Sequence, residues 1–268
     1  MDKRAVFTIG STEPDLAGIT IKSPHELGLM REAGQVVATT IELLVRSLEP
    51  DMKTKELDAI ASKEIRRLGG KPSFKGYRGF PATICVSLNE EIVHGIPSDR
   101  VIREGDIVSL DVGAVVGGFH ADSAVTVGAG DVSPEAERLI EVTRLSLALG
   151  IKQAIVGNRV GDISNAVQQF AEAQGYGVVR EYVGHGIGRA LHEEPSIPNF
   201  GEPGRGPLLQ PGMVIAIEPM LNLGTWQTRA LSDGWTVVTA DGLTSAHFEH
   251  TVAITEEGPQ VLTALNGR

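Results

Sequence analysis

The sequence predicts an α+β fold, with helices packed together on one side of antiparallel strand hairpins. Three observations point to it. Stretches with apolar residues at helical spacing come in adjacent pairs, each closed by glycine. The β-rich runs that follow are joined as hairpins and do not alternate singly with helices. The order of helix, helix and strands then occurs a second time, which suggests an internal two-fold repeat.

The first helix opens at Ser23-Pro24-His25-Glu26, a capping box with proline at the first helical position. Met30, Ala33, Val37, Ile41, Leu44 and Leu48 follow at helical spacing until Pro50 stops the run. A second helix starts at Thr54, places Leu57, Ile60, Ala61, Ile65 and Leu68 on one face, and ends at Gly69-Gly70. Thr83 to Leu88 reads as a strand. Ile107 to Val116 and Phe119 to Val127 are β-rich runs separated by Gly117-Gly118, which predicts a two-residue hairpin. Ser133-Pro134 opens a third helix bearing Leu139, Val142, Leu145 and Ile151. Asp162 is expected to cap a fourth, which ends near Gly175-Tyr176. A polar loop runs from Pro198 to Pro207, and Met213 to Ile217 and Ser245 to Ile254 read as further strands.

The chain has 268 residues and one cysteine, Cys85, so it has no internal disulfide and suits a reducing compartment. No apolar run is long enough to cross a bilayer, and the N-terminus lacks the apolar stretch of a secretory signal. A cytoplasmic location is expected. The formal net charge of −10 argues against nucleic acid or anionic lipid as the main partner. Residues 1–20 read as a short extension and 21–268 as one catalytic domain.

The hairpin register carries the first chemical signal. With a two-residue loop, Val116 faces Phe119, Asp111 lies opposite Ala124, and Asp122 lies opposite Gly113. Side chains alternate along a strand, so Asp111 and Asp122 share one face as diagonal neighbours. Ser109, Gly113, Ala124 and Thr126 on that face are small and leave room between the acids, whereas Val108, Leu110, Val112 and Val125 form the opposite, core-facing side. Two carboxylates this close repel unless a cation lies between them. The bland alternative is a pair of solvated acids on an open sheet. Downstream, His185 and His192 lie in a glycine-rich stretch, Val183 to Pro195, that excludes a helical zinc motif. Glu218 ends one apolar strand and Glu249 sits inside another, positions costly for an unpaired carboxylate.

Taken together, Asn89-Glu90, His94-Gly95-Ile96-Pro97, Ser109 to Gly113, His120-Ala121-Asp122, Gly184 to Gly188, His192 to Pro195, Ile217-Glu218-Pro219 and Phe248-Glu249-His250 resemble the type I methionine aminopeptidases. The likeness spans Ile21 to Thr255. It implies the pita-bread fold, a pseudo-two-fold repeat of helices packed on a curved antiparallel sheet. It implies metal ligation by Asp111, Asp122, His185, Glu218 and Glu249, with Asp122 and Glu249 bridging two divalent ions of cobalt, manganese, iron or zinc.

By the same resemblance, Glu218 is a candidate proton acceptor, and His94 and His192 are non-ligand catalytic and substrate-binding histidines. Tyr77, Phe80, Cys85, Leu191 and Trp235 form the methionine pocket. Phe80 and Leu191 replace residues commonly tyrosine and phenylalanine there, which opens the pocket slightly. His120 and His247 are expected beside the site without binding metal, and His250 is expected to orient the ligand segment. The implied substrates are nascent polypeptide N-termini with a small second residue, met near the ribosome by a monomer. Asp2 would then leave the chain's own Met1 in place. The rival readings are a proline-specific aminopeptidase of the same fold and a non-catalytic binding protein.

Overall fold

The computed structural model describes residues 18–265; most of the expected N-terminal extension, with Met1 and Asp2, lies outside them. Four helices, α1 (Pro24–Ser47), α2 (Thr54–Arg67), α3 (Pro134–Gln153) and α4 (Val160–Ala173), alternate in pairs with two sets of strands. After α2 come β1 (Lys71–Pro72), β2 (Cys85–Leu88), β3 (Glu91–Val93), β4 (Ile107–Val116) and β5 (Phe119–Gly128). After α4 come β6 (Gly177–Val178), β7 (Gly184–Gly186), β8 (Glu193–Ile197), β9 (Val214–Ile217), β10 (Met220–Asn222), β11 (Thr228–Ala230), β12 (Val237–Thr239), β13 (Ser245–His247), β14 (Glu249–Thr255) and β15 (Gly258–Val261).

The main sheet runs β1-β4-β5-β14-β9-β7-β8, with β2 also on β4 and β15 also on β14. Its core, β2-β4-β5-β14-β9-β7, reads the same from either end once the halves are matched. The two halves meet where Glu249 pairs with Ala124 and His250 with Ser123. Smaller details repeat as well. Ser23 and Ser133 each cap a helix that opens with proline. In α2 and α4 the third residue, Glu56 or Asp162, accepts the N–H of the residue before the helix at 2.7 Å. Gly69 and Gly175 both leave their helices at positive φ.

This corrects the expected cap of the fourth helix. Asp162 acts from the third helical position, so α4 begins three residues earlier than a cap at Asp162 implies. The strand expected from Thr83 starts only at Cys85. The run Ser245 to Ile254 is broken at Phe248, and its parts join different sheets.

The hairpin register is the expected one, Val116 with Phe119, Gly113 with Asp122 and Asp111 with Ala124. Gly117 and Gly118 take φ of 58° and 83°, as a tight turn matching strand twist requires. Behind the sheet, Leu44, Leu57 and Ile65 of α1 and α2 pack on Val86, Leu88 and Leu110. Ile163 and Leu147 do the same against Ile215, Ile217 and Val252. The helices thus cover one face, which leaves the other face of β4, β5, β14 and β9 to build a site.

Candidate active site

Each half supplies two carboxylates: Asp111 on β4 and Asp122 on β5, then Glu218 just after β9 and Glu249 at the start of β14. His185 on β7 joins them. One potential ligand atom each from Asp122, His185 and Glu249 lies within 4.8 Å of the others, and all three residues are buried. His185 Nε2 is 3.5 Å from Asp122 Oδ2 and 3.6 Å from Glu218 Oε1. Asp111 Oδ1 is buried and has no hydrogen-bond partner among the described residues.

His185 shows what this cluster is built for. Its Nδ1 lies 2.9 Å from the carbonyl of Gly186, which can only accept, so Nδ1 carries the proton. That turns Nε2 toward the two carboxylates, the atom that serves as an imidazole ligand beside their oxygens when a divalent cation is bound. The carboxylates tell the same story. Burial pushes Asp111, Glu218 and Glu249 well above the usual carboxylate range, and the charge of Asp122 adds to that. Asp122 is raised by burial too, partly offset by His185 and by Thr251. Thr251 Oγ1 accepts the Asp122 N–H at 3.0 Å and lies 2.9 Å from its Oδ1, which fixes the carboxylate's rotation. These residues fit a metal centre, and the oxygen-rich donor set with one imidazole suits hard to borderline divalent ions.

The room expected on the hairpin face is only partly there. A Cβ at Gly113 would sit 2.5 Å from the Phe74 ring, so that glycine admits an aromatic side chain and no ion. Ser109 and Thr126 are hydrogen-bonded to each other at 2.8 Å.

A cavity of about 150 Å³ opens from the cluster, room for a side chain and more than a lone water. Tyr77, Phe80, Cys85, His94, Leu191, His192 and Trp235 line it together with the five candidate ligands. Phe80 meets Trp235 edge-on at 5.1 Å. Burial, with Asp111 beside it, pushes the Cys85 thiol up, so it stays neutral and apolar in character. His192 stacks on Tyr77 at 5.2 Å, with Nδ1 2.9 Å from the hydroxyl and its ring 4.2 Å from that of His185. Burial and the neighbouring His185 lower its pKa to about 3. His94 adopts φ of 61° and packs between Tyr182 and Trp235; burial lowers it to about 4. The backbone there is pinned, because a Cβ on Gly95 would lie 2.2 Å from the Val86 carbonyl oxygen.

The remaining histidines divide by environment. His250 Nδ1 reaches Ser123 Oγ at 3.2 Å and Thr263 Oγ1 at 2.9 Å, tying β14 to β5 beside Glu249. His120 is bonded to Ser73. His247 is buried, and its Nε2, without a hydrogen-bond partner among the described residues, sits 3.8 Å from Glu218 Oε2. Sequence reasoning missed Phe74, Thr251 and Arg78 as neighbours of the site. Gly113 in a strand was the one available signal for Phe74.

The residues 28–256 match the model of metallopeptidase family M24, and the chain belongs to that family. Within it, the chain is 54% identical over 245 residues to methionine aminopeptidase 1 of Bacillus subtilis strain 168, covering 91% of this chain and 99% of the relative. It is 52% identical over 247 residues to methionine aminopeptidase of Clostridium perfringens, covering 92% and 99%. The crystal structure of methionine aminopeptidase from Thermotoga maritima superposes with a TM-score of 0.91 at 45% identity, over 92% of this chain and 99% of that one. The fold is the pita-bread fold of that family, a curled antiparallel half-barrel backed by helices.

Proposed function

We infer that the chain is a metal-dependent aminopeptidase that removes methionine from polypeptide N-termini with a small second residue. The convergence of His185 Nε2 with carboxylate oxygens of Asp122, Glu218 and Glu249 carries the metal part of the reading. The near-full-length likeness to methionine aminopeptidases of two bacteria supports the substrate. Asp111, Asp122, His185, Glu218 and Glu249 are proposed to hold two divalent ions. Ions of that kind supply Lewis acidity and make water acidic enough to act as a nucleophile near neutral pH.

The chain's own residues supply the rest. Tyr77, Phe80, Cys85, Leu191 and Trp235 receive the methionine side chain, whose sulfur suits contact with aromatic rings. Glu218, ionised when cations are bound beside it, would accept the proton of the attacking water. His192 is neutral, and in the tautomer whose Nδ1 accepts from the Tyr77 hydroxyl its Nε2–H is free to donate to the developing oxyanion. His94, also neutral, donates to the substrate backbone or leaving amine. Residues 21–268 are proposed to act as one catalytic unit, a cytoplasmic monomer meeting nascent chains near the ribosome. No helix among the described residues is long and apolar enough to cross a membrane.

The test is a peptide panel. With added manganese or cobalt, Met-Ala-Ser peptides are expected to release methionine, while Ala-Pro-Ser peptides stay intact. Preference for the proline peptide would favour the rival peptidase reading, and inertness toward both would favour a binding protein.

A further inference from the structure

The mouth of the cavity carries a positive charge that has no ion-pair partner among the described residues and that the proposed reaction does not use. Of the lining residues only two are exposed, His192 and Arg78; the others are buried or half-buried. Arg78 is also the one lysine or arginine among them, in a chain whose net charge is −10. Its backbone takes φ of 47° in the tight turn Tyr77–Gly79, between two glycines at positive φ, Gly76 and Gly79. That turn lays the guanidinium 5.3 Å from the centre of the Tyr77 ring, the same ring that His192 stacks on. Among the described residues no carboxylate lies within ion-pair distance of Arg78. Arg189, by contrast, is paired with Glu26.

Direction follows from burial. Methionine's side chain goes inward, toward Phe80, Cys85 and Leu191, all buried. The chain beyond the cleaved bond has to leave through the exposed end, past His192 and Arg78. Resting on the methionine-removal reading, we propose that Arg78 is a specificity residue that favours substrates with acidic side chains at the two positions after the small second residue.

Three amidated peptides, Met-Ala-Asp-Asp, Met-Ala-Lys-Lys and Met-Ala-Ser-Ser, test this with purified, metal-supplemented enzyme; the amide removes the terminal carboxylate. At low ionic strength kcat/KM for the Asp peptide is expected to exceed that for the Lys peptide about three- to tenfold, the scale of exposed charge pairs. The ratio is expected to approach one in ~0.5 M salt, which shortens the screening length to a few ångströms. Arg78→Ala is expected to bring the low-salt ratio near one and Arg78→Glu to invert it. A wild-type ratio at or below one, or a ratio unchanged in either variant, overturns the proposal. Cleavage of the Ser peptide without charge discrimination overturns it alone. Failure to release methionine from any of the three overturns the methionine-removal reading as well.

Discussion

His185 donates its Nδ1 proton to the Gly186 carbonyl and so turns Nε2 toward Asp122 and Glu218, with Asp111 and Glu249 in the same pocket. Replacing Asp111 by Asn is therefore expected to abolish turnover while leaving a folded protein. It removes a negative ligand and also relieves repulsion with Asp122, so the metal-free form need not lose stability. Full activity of Asp111→Asn at modest metal concentration would contradict the ligand assignment. His192→Ala is expected to slow turnover by about 10²–10³-fold, the scale of one lost transition-state donor. Its metal content should stay normal, and loss of metal along with rate would make His192 a ligand. Much at this scale was legible in advance. The shared face of Asp111 and Asp122 follows from the two-residue period of a strand and a Gly-Gly turn, with no structure needed. Thr251 was not legible, since it depends on β14 lying beside β5, and neither was the proximity of His247 to Glu218, which depends on β13 pairing with β10; both pairings are long-range.

Helix α1 shows how elements hold the site's scaffold. It lies across β4 and β5, and Gly34 lets it touch the backbone after β15, where a Cβ would come 2.1 Å from the Leu262 carbonyl oxygen. Gly34→Ala is expected to destabilise the protein by about 1–3 kcal/mol, the usual cost of overpacking. Gly28 sits in the same helix with nothing within 4 Å of a Cβ. Gly28→Ala is expected to stabilise by about 0.5–1 kcal/mol through helix propensity. Urea unfolding of both variants checks the pair, and equal effects of one sign would show that the contact with Leu262 is not limiting. Helix periodicity and serine caps made α1 and α3 readable. The start of α4 was misplaced because aspartate serves a helix start either as the cap residue or from the third helical position, and the sequence alone does not distinguish them. The break at Phe248 was hidden because both flanking runs are apolar, and only sheet membership separates them.

Across the whole molecule the two-fold places the site at the seam between halves, each giving two carboxylates. The repeat of helices and glycines was visible in the sequence; the single curved sheet joining the halves at β5 and β14 was not, because it rests on non-local pairing. The seam also ties stability to pH. Asp111, Glu218 and Glu249 have folded pKa values raised by burial and by the charge of Asp122. A carboxyl raised on folding stabilises the protein below its unfolded pKa, about 4, and loses that contribution as pH climbs through the folded value. The metal-free protein is thus expected to weaken toward neutral pH, and divalent ions to restore it. The difference in Tm between metal-loaded and chelator-treated protein should widen from pH 5 to pH 8, and a constant difference would contradict this.

The most direct measurement is methionine release from an amidated Met-Ala-Ser peptide while manganese or cobalt is titrated into chelator-treated protein. Release is expected to be absent without metal, to rise with added ion and to saturate by two ions per chain. Release insensitive to chelator, or no methionine at any metal concentration, would contradict a metal-dependent methionine-removing site built on Asp111, Asp122, His185, Glu218 and Glu249.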